Sequence, residues 1–483
     1  MFNAHSYIRT FYEDHVRLGQ ASRAELAEHR DVCLELLKEG LRRLGEKRRR
    51  RGGYPVFMRT ANQGSYAMKT LNQHSHKQYD IDVAVIFRKE DFPESALLAR
   101  QRVAEALRAS LNNFATKPLA RTNAVTVWYT KGEHVDLAVY REFTNFWGKP
   151  VLEHAGSQWR PRDPEAVREW LVEQEQRLSP DAASRATVEQ WQFRRIVRLV
   201  KAFARSRVSW DLPGGMILSA LVAEVYRPDS HRDDIALYKT LSSLQSRLRE
   251  NLEVRSPIAP NEVLTSLIRI VQVKRLLEKL DFVLPHLEVL NSPSCLETHA
   301  ITSWGWVFNH PYWRERARNA RLAAARIEPA LLKIRANLSN FKNGPVKSAY
   351  KDKTAVPKGT WVGFSLKNQL GIPSPFTVRW VVRNRGSEAL NAGVEQREYV
   401  GEELKVLWLE AKFAGRHSIT CEIIKGGSII ARGGGICRFL QLEFWPSLPL
   451  VGATRGDDVT TSCSRRWTSQ PRVVGTCMAF ARL

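Results

Sequence analysis

The sequence predicts an α+β protein with three structured blocks. Short β-rich runs and helical segments alternate between Val56 and Tyr140, helical periodicity dominates from Asp163 to Leu338, and a period of two begins at Phe376. Hydrophobic residues make up 43% of the 483 residues and charged residues 26%, which is typical of globular proteins and argues against wholesale disorder. At about 100–200 residues per domain, we expect two to four domains.

The first block, residues 1–145, opens with a helix. Leucines recur at helical spacing and no proline occurs before Pro55, so residues 1 to about 50 are predicted as helical. This stretch ends in the basic run Lys47–Arg51, which we interpret as a solvated helix end rather than a dedicated nucleic-acid contact.

Two strands and an intervening helix follow in the same block. The β-rich runs Ile81–Phe87 and Val135–Tyr140 are the clearest strands, and Phe92–Phe114 has the pattern of a helix. Strands that alternate with helices predict an α/β or α+β arrangement for this block.

The second block, residues 146–340, is predicted to be helical. Asp163 and Pro164 have the pattern of an N-cap followed by proline at the first helical position. A run rich in Lys, Gly and Pro then predicts a linker over residues 341–358.

The third block, residues 359–444, is predicted to be a small β-sandwich. Phe376–Arg383 alternates apolar and polar residues, and shorter runs of the same kind follow between glycine-containing turns. We interpret Trp380, Tyr399 and Trp408 as core residues rather than a base-stacking platform. Residues 445–483 follow neither period and predict a disordered tail, or an aberrant one from a shifted reading frame.

The net charge and the cysteines indicate which partners and which cellular compartment to expect. The 74 Lys and Arg exceed the 50 Asp and Glu, so the net charge is +24 and anionic partners are expected. No apolar run is long enough for a membrane helix and the start is not apolar, which predicts a cytoplasmic protein without a membrane partner. The six cysteines form no CxxC pair and are expected to stay reduced, and His74 with His76 lacks further ligands for zinc.

Three carboxylates are the strongest chemical signal. Residues two apart on a strand share a face, so Asp80 and Asp82 project together, and Asp136 alternates in the same way with its apolar neighbours. Three carboxylates on one face repel one another unless a cation lies between them. We therefore predict two Mg²⁺ ions about 3.5–4 Å apart, with Mn²⁺ as an alternative, because such pairs serve phosphoryl chemistry.

Two further motifs point to phosphate binding. Gly64 permits close approach of a phosphate to the backbone, and the helix expected from Ser65 would direct its N-terminal amides at the anion. Farther along, Arg194, Arg198, Lys201 and Arg205 recur at helical spacing and predict a cationic face for polyanionic nucleotides, with a solvated basic face as the alternative.

The strings QGSYAMKT, YDIDVAVIF and HVDLAVY resemble the catalytic core of the DNA polymerase β-like nucleotidyltransferase superfamily. Within it, Trp159, Asp163, Trp170 and the run 194–201 look most like the bacterial relatives of cyclic GMP-AMP synthase, the CD-NTases of anti-phage signalling. The resemblance covers residues 1 to about 340. It implies a polymerase β-like nucleotidyltransferase core followed by a helical nucleotide-binding domain.

This resemblance also implies residue roles. Asp80, Asp82 and Asp136 would bind the metals and activate the acceptor hydroxyl. The other implied nucleotide ligands are Gln63, Gly64, Ser65, Lys201 and Ser219, the last standing in for a serine that relatives carry where this chain has Gly214 and Gly215. The third block is similar to the C-terminal sensor module of adenylyl and guanylyl cyclases and CD-NTases.

The leading hypothesis is a nucleotidyltransferase that converts ATP, GTP or other NTPs into a cyclic di- or trinucleotide messenger for a downstream effector. One alternative is the same chemistry with linear oligonucleotides, an RNA 3′ end or a protein as product. Another is a non-catalytic nucleic-acid-binding protein. The excess positive charge leaves a nucleic-acid activator open.

Overall fold

The computed structural model describes residues 1–48, 54–73, 79–110, 116–130, 132–181, 191–326, 329–351, 354–367, 375–402 and 404–440. For residues 325–326 and 436–440 it describes the backbone alone. Residues 1–440 form one compact unit. The predicted basic run at Arg49–Arg51, the His74 and His76 pair and the tail at 445–483 lie outside the described residues.

The helices confirm most of the predicted helical segments. Asp163 accepts hydrogen bonds from two amides at the start of one helix, where Pro164 is the first helical residue, as predicted. The helices are α1 His5–Phe11, α2 Gln20–Lys47, α3 Gly64–Ala67, α4 Ala96–Ala109, α5 Pro164–Leu178, α6 Gln192–Ala204, α7 Gly215–Val225, α8 Asp233–Glu250, α9 Leu267–Leu287, α10 Glu297–Phe308, α11 Pro311–Arg326 and α12 Ser387–Asn391. None of these is both long enough and apolar enough to cross a bilayer.

The first block contains a mixed sheet with helices on one face. Its strands are β1 Arg59–Gln63, β2 Asp80–Arg88, β3 Leu119–Ala120, β4 Val125–Trp128, β5 His134–Thr144, β6 Pro150–Ala155 and β7 Trp159–Pro161. The spatial order is β1-β2-β5-β4-β3, with β6 between β5 and β7, and only β2 and β5 are parallel. Helices α2 and α4 cover one face, where the apolar side chains of β2 and β5 are buried.

The predicted helix over residues 1–50 is interrupted in the structure. Helix α1 continues as a π-helical turn to Val16, and Arg17 is then extended before α2 begins. Val16 packs in the core of the helical block, whereas Leu18 packs in the core of the sheet. The chain breaks here because its two halves bury their apolar faces in different cores.

The third block is a β-sandwich, as predicted. Its strands are β8 Ala330–Leu331, β9 Ile334–Ser339, β10 Ser348–Ala349, β11 Ala355–Pro357, β12 Trp361–Leu366, β13 Thr377–Arg385, β14 Gln396–Glu402, β15 Val406–Glu410, β16 Gly415–Lys425 and β17 Ser428–Leu440. One sheet has the order β10-β9-β12-β15, and the other has β11-β17-β16-β13-β14 with β8 beside β17. Trp380 is fully buried between them and donates its indole N–H to the Leu404 carbonyl oxygen.

The segment before residue 359 differs from its predicted role. Strands β8 and β9 lie in the stretch assigned to the helical block, and β10 and β11 lie in the predicted linker at 341–358. They pair with central strands of both sheets. Lys342, Lys358 and Gly359 lie in turns beside these short strands, whereas Pro357 is the last residue of β11, so the composition of a linker accompanies part of a packed domain.

Candidate active site

Strands β2 and β5 bring the three predicted carboxylates together. The two strands run parallel, with Asp80 opposite His134 and Asp82 opposite Asp136. Ile81, Val83 and Val135, the intervening residues, are completely buried against α2 and α4. Because side chains alternate along a strand, the carboxylates project from the opposite face of the sheet.

Loss of water and mutual repulsion both act on the carboxylates. Loss of surrounding water and then the charges of Asp80 and Asp136 raise the pKa of Asp82 to about 8, against opposing effects from Arg162 and Lys201. Carboxylates can remain ionised together when a cation is bound between them.

Ligand atoms for such a cation lie close together. Asp80, His134 and Asp136 each offer one atom within 4.8 Å of the others. The two carboxylates of this set fit a hard divalent cation, because Mg²⁺ and Mn²⁺ prefer carboxylate oxygens, whereas His134 offers a softer nitrogen and Asp82 is not in the set.

Gly64 lies against the carboxylates. Its φ is +64°, and a Cβ atom at this position would stand 1.9 Å from Oδ2 of Asp82. A side chain here would therefore clash with a site residue as well as strain the backbone. The helix expected from Ser65 is the single turn α3, which begins at Gly64.

The side chain of Gln63 contacts Tyr140, whereas the sequence predicts that it contacts a nucleotide. Its backbone pairs with Asp82 across β1 and β2, but its side-chain oxygen accepts a hydrogen bond of 2.9 Å from the Tyr140 hydroxyl. This contact fixes the residue that precedes Gly64. A positioning role is thus visible for Gln63.

Lys201 connects the helical block to the segment that follows α3. Its Nζ donates to the carbonyl oxygen of Thr70 at 2.8 Å and to the Thr70 hydroxyl at 3.1 Å. Burial, and then the charge of Arg205, lower the pKa of Lys201 to about 7, while Asp80 and Asp82 oppose this shift. Lys201 is therefore close enough to the carboxylates to interact with them electrostatically.

The Ser219 hydroxyl is bonded within its own helix, whereas the sequence predicts that it contacts a nucleotide. Its side chain is completely buried in α7 and donates to the carbonyl oxygen of Gly215 one turn earlier, at 2.8 Å. The hydroxyl is thus used inside its own helix. Gly215, in contrast, comes close to Lys201, since a Cβ there would lie 3.0 Å from the lysine Cε.

The predicted cationic face of α6 is mostly buried within the protein. Arg194 forms a short ion pair with the buried Glu175, and Arg198 donates to the Tyr12 hydroxyl at 2.6 Å. Of the four predicted cations, Arg205 alone is exposed. Partners from distant segments therefore turn most of this face into a structural element of the helical core.

Three residues at the site were not singled out from the sequence. His134 lies two residues before Asp136, so the period-two argument that found Asp136 also places His134 on its face. Thr126 on β4 donates a hydrogen bond of 2.5 Å to Asp136. Arg162 opposes the raised pKa of Asp82, and no sequence pattern marks it.

Two stretches of the chain match known families. Residues 58–140 match the nucleotidyltransferase domain of the cyclic GMP-AMP synthase DncV-like family, and residues 311–436 match the adenylyl/guanylyl and SMODS C-terminal sensor domain. The second match begins in α11, before the first strand of the sandwich.

Individual relatives are similar over most of the chain. The cyclic GMP-AMP synthase of Escherichia albertii is 23% identical over 386 residues, which cover 76% of this chain and 81% of the relative. The apo structure of Vibrio cholerae DncV has a TM-score of 0.51 at 15% identity and covers 66% of this chain and 98% of its own. The structure of E. coli MS115-1 CdnC with ATP has a TM-score of 0.47 at 18% identity, over 64% of this chain and 98% of its own. The likeness to DncV confirms the predicted α+β nucleotidyltransferase fold.

Proposed function

We propose that this chain makes a cyclic oligonucleotide second messenger from NTPs in anti-phage defence, because residues 58–140 match a DncV-like nucleotidyltransferase domain and residues 311–436 match an adenylyl/guanylyl and SMODS C-terminal sensor domain. The observation that carries this proposal is the crowding of Asp82 by Asp80 and Asp136 beside Gly64. A cluster of repelling carboxylates next to a glycine turn is suited to metal-bound triphosphates.

The side chains divide the reaction between them. Asp80, Asp82 and Asp136 would hold two divalent cations. When bound, these cations would neutralise phosphate charge and lower the pKa of the attacking hydroxyl. Thr126 fixes one oxygen of Asp136 and so orients the carboxylate that receives the acceptor hydroxyl.

The donor nucleotide would lie on the other side of this cluster. Gly64 lets the Asp82 carboxylate lie against the backbone of this turn, and the Ser65 hydroxyl and Lys201 would hold the β- and γ-phosphates that leave as pyrophosphate. A second transfer between the two joined nucleotides closes the ring. Positioning and charge stabilisation supply most of the rate in such chemistry.

Product analysis tests this function. The full chain is incubated with all four NTPs and Mg²⁺, and the products are treated with phosphatase before chromatography and mass spectrometry. Phosphatase-resistant oligonucleotides are expected from the unmodified chain and none from the variant with Asp80→Asn and Asp82→Asn. The exposed Asp211, which pairs with Arg275, provides a matched control as Asp211→Asn.

Other outcomes favour the rivals. Phosphatase-sensitive products alone would contradict ring closure and support linear synthesis. Label attached to added RNA or to protein would identify a macromolecular acceptor. A lack of synthesis by the unmodified chain, together with nucleic-acid binding that the carboxylate substitutions leave unchanged, would favour a binding protein. The cytoplasmic location, the downstream effector and a nucleic-acid activator stay predictions.

A further inference from the structure

The sandwich contains a cavity at one end, between its two sheets. Its volume is about 240 Å³. Trp361 and Trp408 line it from one sheet, and Tyr399 and Ser418 line it from the other. It is made by residues other than the carboxylates of β2 and β5.

The aromatic wall of this cavity is built into the strand pairing. Trp408 pairs with Gly363 across β12 and β15, and a Cβ at Gly363 would lie 2.7 Å from the Trp408 ring. The indole therefore lies on a glycine, and any other residue at 363 would displace it. Trp380 is fully buried, but Trp408 and Tyr399 are half-buried. Both of these half-buried side chains line the cavity.

Cationic side chains stand at the edge of the cavity. Lys342 and Arg397 are exposed and line it, and neither has a carboxylate within ion-pair distance among the described residues. Lys412, which also lines the cavity, pairs with Glu410 at 3.2 Å. The rim thus presents positive charge beside aromatic faces.

We propose that this cavity binds a nucleotide, with the base against Trp408 and Tyr399 and the phosphate against Lys342 and Arg397. Aromatic side chains hold bases by stacking, and unpaired cations hold phosphates. The volume lies slightly below the roughly 300–1,000 Å³ of sites that enclose a whole drug-sized ligand, so it suits one base and its sugar. The same chemistry is offered by a free NTP and by one unit of a cyclic oligonucleotide.

Photolabelling locates the site independently of turnover. The full chain with Asp80→Asn and Asp82→Asn is irradiated with 8-azido-ATP in EDTA, and labelled peptides are mapped by mass spectrometry. Label is expected on peptides containing Tyr399 or Trp408. Label confined to residues 58–140 overturns the proposal, and this result is independent of whether the unmodified enzyme makes a cyclic product.

Substitutions and competitors complete the experiment. Trp408→Ala and Arg397→Gln should each lower this labelling about tenfold, since the first removes the stacking surface and the second removes the charged phosphate contact. Trp147→Ala, at a tryptophan that is 78% exposed, is the matched control. Competition by ATP or GTP identifies a free nucleotide, and competition by synthetic cyclic GMP-AMP identifies a product-like ligand. Unchanged labelling of the exposed-site variant Arg397→Gln, or competition by single-stranded RNA alone, overturns the proposal.

Discussion

Replacing Asp82 by Asn should stabilise the metal-free protein and abolish nucleotidyl transfer. Dehydration and the charges of Asp80 and Asp136 raise the pKa of Asp82 from 3.8 to about 8. Between these two values the folded state binds a proton that the unfolded chain has released, so this carboxylate makes the fold less stable as the pH rises from about 4 to 8. An amide is neutral throughout and removes the repulsion.

The size of the effect follows from the shift. One pKa unit corresponds to about 1.4 kcal/mol, and pH 7 lies about three units above the ordinary pKa, which gives an upper bound of about 4 kcal/mol. Asp82 is half-buried and shares its titration with two neighbouring carboxylates, so we expect about 1–3 kcal/mol. At about 2.1 cal/mol/K of unfolding entropy per residue, a compact unit of residues 1–440 then gains roughly 1–3 °C in Tm.

Thermal unfolding in EDTA at pH 5, 6, 7 and 8 measures this difference. The Tm gain of Asp82→Asn over the unmodified chain should grow with pH, whereas Asp211→Asn should show no such trend. Added Mg²⁺ should raise the Tm of the unmodified chain and leave that of Asp82→Asn nearly unchanged. An Asp82→Asn variant that melts below the unmodified chain at pH 8 in EDTA would refute the crowding of the three carboxylates.

Gly64→Ala should lower kcat at least about a hundredfold, because the added Cβ occupies the position of the Asp82 carboxylate. Gly393 has the same φ of +64° but no atom within 4 Å of a Cβ there. Gly393→Ala therefore tests backbone strain without the clash, and this variant should keep its activity. Lys201→Met should weaken ATP binding about tenfold or more in a filter-binding assay. Unchanged affinity would show that Lys201 does not bind the triphosphate. Ser219→Ala should cost about 1 kcal/mol of unfolding free energy and leave ATP affinity intact, whereas a tenfold loss of affinity would return Ser219 to the site.

The carboxylates could be located from the sequence because their signal is local. Alternation along β2 and β5 sets which side chains share a face, and the buried residues between the carboxylates are strongly apolar. Nothing beyond the two strands is needed to place Asp80, Asp82 and Asp136 together. The same alternation places His134 on this face, because it lies two residues before Asp136 on β5.

The role of α6 could not be predicted in this way because it depends on distant partners. Its spacing correctly predicts a helix with its cations on one face, yet the sequence pattern is the same whether that face meets water, nucleotide or protein. In the structure Glu175 and Tyr12 bind Arg194 and Arg198, and these partners come from other segments. Much of the positive charge on α6 thus stabilises the helical core and does not face a polyanion.

The N-terminal segment, residues 1–17, contacts both the β-sandwich and the stretch of chain that follows Gly64. At its start, the Phe2 ring lies on Gly427 in the turn between β16 and β17, and the same turn accepts a hydrogen bond from the amide of Glu297 on α10. At its end, Val16 accepts a hydrogen bond from the amide of Gln73, in the segment whose Thr70 is bound by Lys201.

Strand β16 completes this connection. Ser418 on β16 lines the sandwich cavity, and the opposite end of the strand leads into the Gly427 turn that meets Phe2. The cavity and the segment after Gly64 are therefore joined by one strand and one N-terminal segment, both held by buried contacts. The sandwich thus contacts, through the Gly427 turn, the same N-terminal segment that binds Gln73 in the stretch after Gly64.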